Sequence, residues 1–349
     1  MIRILFAIIF LISINFFQSK AQSETNVKDR NVIIKVADEW ISKIRNYNTE
    51  NGNEELIKEF EKYIYPDTLD GSISFDHEGG GFLTYQLINL DEDTAKELLC
   101  LIGWSESYPT MAVLKNVNNT WYLLYTEPFY MFYEDPKIEV ANNSSPNKTF
   151  YFRWLYERGS GIFCDAYHFY KIIDKRVYHC LELVNSARIY GWGLFLNQDI
   201  EMAFKFKTSK TDEINVTYKY NFFPGAVYDS DVSWDGHKDL SFVKHKKSVV
   251  YTYNNRTYSY QPQFIDKPNE LNDKKIACFG AFGNDTLFID AYANELKNKL
   301  SSGSKGEKSL LNRYLELVRE NKKAVAPSGE LEEKGSAGDL KFYGIKEKK

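Results

Sequence analysis

Asp231, Ser233, Asp235 and Asp239 place oxygen-bearing side chains at positions 1, 3, 5 and 9 of a short run, with Gly236 at position 6. Alternate residues of a tight loop turn their oxygens inward, and the glycine permits the sharp bend that a hard cation such as Ca²⁺ requires. Position 12 is Phe242 and no helical pattern precedes the run, so it is not an EF-hand. Without a metal, the same residues make an Asx-rich turn whose carboxylates accept backbone N–H groups. A weaker copy of the spacing lies upstream at Asn89, Asp91, Asp93 and Glu97, with Thr94 where the glycine is expected. There the metal-free turn is the expectation.

His168 and His179 fall on two segments of a predicted hairpin that turns at Asp174 and Lys175. In that register Tyr170 faces His179 and His168 faces Leu181, so the two imidazoles share a face as diagonal neighbours, within reach of one transition-metal ion. Spacing offers no third ligand, and packed cross-strand histidines are the alternative. The same register sets Cys164 and Cys180 on opposite faces, which argues against a bridge; buried free thiols are expected at Cys100, Cys164, Cys180 and Cys278. Asp76, His77 and Glu78, beside three glycines, read either as an acid–base cluster on a mobile loop or as a solvated hairpin tip. Trp104, Trp121, Trp154, Trp192 and Trp234 would line a glycan-binding surface or fill cores. No Gly-x-Ser-x-Gly elbow, His-Glu-x-x-His helix or phosphate loop occurs, so no catalytic or cofactor-binding residue is assigned.

The elements that must position these groups change in period along the chain. Ile33, Val36, Ala37, Trp40, Ile41 and Ile44 form a helical stripe, and Leu56, Ile57, Phe60 and Ile64 form a second that stops before Pro66. From residue 72 the period becomes two, with strands expected over 72–76, 82–88, 98–102, 111–117, 120–126, 149–156, 162–173, 177–184, 187–196, 200–206, 214–222, 240–243, 248–253 and 256–260. A helix through 91–102 also fits the spacing of Ala95, Leu98, Leu99 and Ile102, but the matching window at 231–243 contains Gly236, which favours loop-then-strand. After residue 284 a helix bearing Phe288, Ile289, Tyr292, Leu296 and Leu300 precedes one bearing Leu310, Leu311, Tyr314, Leu315 and Val318. The expected organisation is a leader over 1–21, a helical segment over 22–70, a β-rich core over 71–283, a helical pair over 284–321 and a disordered tail over 322–349. The fold class is mainly β, antiparallel and either propeller-like or a sandwich, with helices at both ends; overall it is α+β.

In both windows Lys precedes the last acid (Lys96, Lys238) and Leu follows it (Leu98, Leu240), and both run on to an Asn-Asn turn (Asn118–Asn119, Asn254–Asn255). This internal repeat, with the run from Asp231 to Leu240, resembles the calcium loop of FG-GAP or VCBS-type repeats. Those repeats build β-propeller blades on secreted or surface proteins, and their acids ligate Ca²⁺. The resemblance covers two windows of about 35 residues each. It implies Ca²⁺ at Asp231, Asp235 and Asp239, with Ser233 standing where the family has Asp or Asn.

Arg3, the apolar run from residue 4 to 17 and the small residues Ser19 and Ala21 read as a secretory signal peptide cleaved after Ala21. The run is too short to span a bilayer, so no membrane span is expected after cleavage, and the destination is secreted or periplasmic. Loss of Arg3 and Lys20 takes the formal charge from −4 to −6, which argues against nucleic acid as a partner. The functional expectation is an exported, non-catalytic binding or interaction module for an extracellular glycan or protein. The alternative is a secreted hydrolase of extracellular polymer using carboxylates such as Asp76, Glu78 or Glu157.

Overall fold

A computed structural model describes residues 31–47, 54–64, 79–104, 109–129, 137–143, 145–159, 161–190, 196–207, 212–225, 239–264, 270–279 and 285–319. The leader expected over 1–21 and the tail expected over 322–349 fall outside these residues, as do residues 231–238. Within the described residues the chain is a β-rich α+β fold of two antiparallel sheets.

The first sheet contains β1 (Asn31–Val36), β2 (Gly81–Ile88), β3 (Glu97–Trp104), β4 (Thr110–Val117) and β5 (Thr120–Pro128), in the order β1-β5-β4-β3-β2. Its interior strand β3, between β4 and β2, is buried at every position, because both faces are covered. Leu98, Cys100, Ile102 and Trp104 meet the helices α1 (Asp38–Arg45) and α2 (Glu54–Ile64), whose Ile41, Ile44, Ile57 and Phe60 close that layer. Leu99 and Leu101 enter a second layer shared with the other sheet. Full burial of each such side chain is worth roughly 1.5–3 kcal/mol. Gly81 lets α2 settle on the sheet, since a Cβ there would lie 2.8 Å from Ile57 Cδ1. Residues 97–104 are thus strand, not the alternative helix, and the β4–β5 hairpin turns at Asn118 and Asn119 with φ of 51° and 63°, the left-handed geometry that asparagine tolerates.

The N-terminal segment 22–70 is not all helical. Residues 31–36 form an edge strand, in which Ile34 pairs with Leu123 and Val36 with Trp121. Three consecutive β-branched residues, Val32 to Ile34, favour an extended edge over the first turns of a helix. Ile33, counted in the helical stripe, is instead 74% exposed.

The second sheet is a continuous meander of β6 (Glu139–Val140), β7 (Phe150–Gly159), β8 (Ile162–Ile173), β9 (Arg176–Ile189), β10 (Leu196–Phe206), β11 (Glu213–Pro224), β12 (Val243–Asn254) and β13 (Ser259–Gln263). Its two edges, β6 and β13, do not pair, so the sheet is open. Bulges in β7 between Leu155 and Glu157, and in β9 at Cys180 and Asn185, interrupt the ladder. Bulges sharpen local twist and bend a strand, and this sheet curls enough for Tyr151 of β7 to touch Phe204 and Phe206 of β10, with ring centroids 5.3 and 5.5 Å apart.

At one end Phe150, Phe152, Tyr170 and Ile172 pack on the first sheet's Leu99, Met111 and Val113. Elsewhere α3 (Glu270–Ala277), α4 (Asp285–Ala291), α5 (Ala293–Ser302) and α6 (Lys305–Arg319) accompany the curled sheet, and Phe288, Tyr292 and Tyr314 join Tyr218, Tyr220 and Phe222 in its core. The expected C-terminal pair is therefore three helices, because the chain turns at Tyr292 between α4 and α5, and a further helix, α3, lies inside the segment read as β-rich.

The two windows of the sequence repeat differ in form. The first supplies a loop, β3 and the β4–β5 hairpin of the first sheet. In the second, the expected strands 240–243 and 248–253 are replaced by one strand, β12, which pairs with β11 from Val243–Phe222 to Thr252–Glu213. Among the described residues no helix is long and apolar enough to cross a membrane.

Candidate functional site

Four clusters of polar side chains are candidates, and the first is the upstream acidic loop. Asp93 Oδ1 accepts the Ala95 N–H at 2.8 Å and Glu97 Oε2 accepts the Leu90 N–H at 2.7 Å, folding residues 89–97 into an Asx-rich turn. Asp91, Asp93 and Glu97 thereby converge, with one oxygen from each lying within 4.8 Å of the others, a set that could hold a metal ion. The cation found there belongs to the protein. Lys115, fully buried on β4, sends Nζ to Asp91 Oδ2 at 2.6 Å, to Asp93 Oδ2 at 3.1 Å and to Glu97 Oε1. Burial pushes the Lys115 ammonium towards neutrality, but the three carboxylates outweigh it and hold the group above the usual lysine range. Sequence spacing found the acids; it could not find the lysine, which comes from a neighbouring strand.

The loop expected to bind Ca²⁺ is mostly outside the described residues: Asp231, Ser233 and Asp235 lie there, and Asp239 is exposed in the turn that precedes β12. Asp76, His77 and Glu78 also lie outside them, as does the side chain of Glu157. Of the tryptophans, Trp104 and Trp121 pack on the α1–α2 side of the first sheet and Trp154 on its opposite side. Those three form no common surface, and Trp192 and Trp234 lie outside the described residues.

Aromatic rings do converge elsewhere. The curl of the second sheet leaves an open groove of about 620 Å³ lined by Tyr151, Tyr167, Phe204 and Phe206, with Glu139, Asn142, Asn185 and Lys205. Tyr151 Oη donates to Glu139 Oε2 at 2.7 Å. Beside it, Asp165 Oδ1 accepts from Asn185 Nδ2 at 3.0 Å and Oδ2 lies 3.3 Å from the Arg153 guanidinium. Burial raises both the Tyr151 and Tyr167 phenols, so both stay protonated at neutral pH. The wall therefore carries flat apolar faces together with amide, hydroxyl and carboxylate groups. Sequence reasoning missed these residues. Their strand alternation is visible, but which rings meet depends on the bulges.

A third cluster is closed rather than open. Lys171, buried on β8, lies 2.6 Å from Asp212 Oδ2, and Asp212 Oδ1 accepts Tyr260 Oη at 2.6 Å and Asn143 Nδ2 at 3.2 Å. Tyr260 Oη also meets Thr149 Oγ1 at 2.8 Å, and Lys171 Nζ sits 4.9 Å above the Tyr253 ring. Burial pushes the nearby Cys180 thiol up to about 12, so it is no nucleophile at neutral pH. The cysteines at 100, 164, 180 and 278 are all buried and form no disulfide.

The histidine pair is the fourth. Tyr170 pairs with His179 as the register predicts, but the bulge at Cys180 moves the partner of His168 from Leu181 to Glu182. His168 Nδ1 and His179 Nε2 lie 3.2 Å apart. Burial, with His179 alongside, holds His168 well below the usual histidine range, so its ring is neutral at pH 7.

No protein-family model matches this chain, and no curated protein matches it in sequence.

Proposed function

We propose that this chain is an exported, non-catalytic binding module that takes an extracellular oligosaccharide into the groove between β6–β7 and β10. The observation that carries this reading is the convergence of four aromatic rings with Glu139, Asn142 and Asn185 around one open cavity. Sugars present apolar C–H faces that stack on aromatic rings and hydroxyl edges that need amide and carboxylate partners. Tyr167, Phe204 and Phe206 are only half-buried, which leaves ring surface for such stacking. The layer shared by the two sheets supports the sandwich-like form of the fold over the propeller-like one.

Titration of the exported form with a panel of neutral and acidic oligosaccharides is expected to give saturable heat for at least one class. Phe206→Ala should weaken that binding about tenfold, since a stacked ring contributes roughly 0.5–1.5 kcal/mol in addition to its buried apolar area. A wild-type chain that binds no oligosaccharide at millimolar concentration overturns the reading.

Ca²⁺ at Asp231, Ser233, Asp235 and Asp239 is the second part of this proposal, and it rests on their spacing. An ion bound only by the folded chain adds about 2.7 kcal/mol at a hundredfold excess over its dissociation constant. Added calcium should raise the melting temperature by several degrees, and Asp235→Ala should abolish the increment. Identical melting in calcium and in chelator would leave a metal-free turn. The Asp91, Asp93 and Glu97 cluster is assigned no ion in this reading, because the Lys115 ammonium already occupies the point on which its three carboxylates converge.

A further inference from the structure

We infer that His168 and His179 form a transition-metal site on the β8–β9 hairpin, for a borderline cation such as Zn²⁺, Cu²⁺ or Ni²⁺. The separation of 3.2 Å between His168 Nδ1 and His179 Nε2 is long for a strong hydrogen bond. It is close to the bite of two imidazole ligands on one ion: bonds of 2.0–2.1 Å at a tetrahedral angle set two nitrogens about 3.3–3.4 Å apart. Imidazole nitrogens select these ions over Ca²⁺ and Mg²⁺, which take oxygen.

Three features of the hairpin build the site. His168 is 2% exposed and its ring is held against Trp154, with centroids 3.5 Å apart, so one ligand is fixed in place. His179 is exposed, which gives an ion a route in from solvent. The bulge at Cys180 then changes what stands next to His168. In a regular strand residues three apart point to opposite faces, but the extra residue turns Glu182 to the side on which His179 lies, directly opposite His168 in the ladder. Glu182 is exposed beside the pair, and water would fill the positions that the two imidazoles leave open.

His168 points to the opposite face of β8 from Tyr167 of the aromatic groove, so the fate of the site is independent of the oligosaccharide reading. The test uses the tag-free exported chain. Calorimetric titration with Zn²⁺, and with Cu²⁺ followed by electron paramagnetic resonance, should show one equivalent bound, with nitrogen hyperfine structure on the copper signal. His179→Asn, at an exposed position where the fold should persist by circular dichroism, should weaken binding at least about tenfold. Wild-type protein that binds neither ion, or a His179→Asn variant that loses less than tenfold, overturns the assignment.

Discussion

Removing the Lys115 ammonium while Asp91, Asp93 and Glu97 stay in place would bury uncompensated negative charge. Breaking a buried ion pair from one side costs about 3–5 kcal/mol, because the remaining charge keeps its desolvation penalty. Lys115→Met is therefore expected to lower unfolding stability by about that amount in urea denaturation. Glu97→Gln added to it should recover part of the loss, since a neutral amide is cheaper to bury than a carboxylate. The single variant should also gain stability in calcium that wild-type residues 89–97 do not, because an empty carboxylate cluster is open to a metal ion. A Lys115→Met protein as stable as wild type would mean that the ammonium is not the cation of this loop.

Helix α6 shows how a local sequence signal becomes an element boundary. Ser304 and Glu307 form a capping box: the Ser304 N–H donates to Glu307 Oε2 at 2.8 Å and the Glu307 N–H donates to Ser304 Oγ at 3.3 Å. Lys299, on α5, also bonds the Glu307 carboxylate at 2.5 Å, which ties the two helices together. Ser304→Ala should cost about 1 kcal/mol, measured as a fall in the denaturation midpoint. The Lys299 and Ser304 partners hold Glu307 down to about 2. A carboxyl depressed in the folded state contributes stability that is complete above its unfolded value of about 4.3 and is lost as pH falls from there towards 2. Glu307→Gln should therefore flatten the stability profile over that acid window and leave it unchanged in shape above about pH 5.

At the scale of the molecule, the curl of the second sheet depends on contacts between strands that are not ladder neighbours. Lys171 on β8, Asp212 before β11, Tyr260 on β13 and Thr149 before β7 make one buried network across the trough. Tyr178 and Tyr258 stack across the same gap with centroids 4.3 Å apart. Lys171→Met would leave Asp212 without its cation and should destabilise the protein by about 3–5 kcal/mol. Hydrogen exchange should then quicken in β13 more than in β3, whose ladder and both faces do not involve the network. Equal quickening in both strands would argue against a local lock.

Period-two alternation, the Asn118–Asn119 and Asp174–Lys175 turns and the helical stripes of α2 and α6 were all readable along the chain, because each depends on neighbours within a few residues. The pairing of Tyr170 with His179 followed directly from its turn. Beyond Cys180 the register left the sequence reading behind, since a bulge is a response of one strand to the curvature of the whole sheet and carries no local signature. The same cause hid the groove: Tyr151 and Phe204 lie 53 positions apart and meet only once the sheet has curled. Ile33 shows the reverse case, a residue in a sound helical stripe that pairing with β5 drew into an edge strand. For the acidic loop, residue spacing determined that Asp91, Asp93 and Glu97 would gather. Which cation they gather around was decided by the tertiary structure, because the ammonium that partly offsets their charge sits on β4 and reaches them only across the sheet.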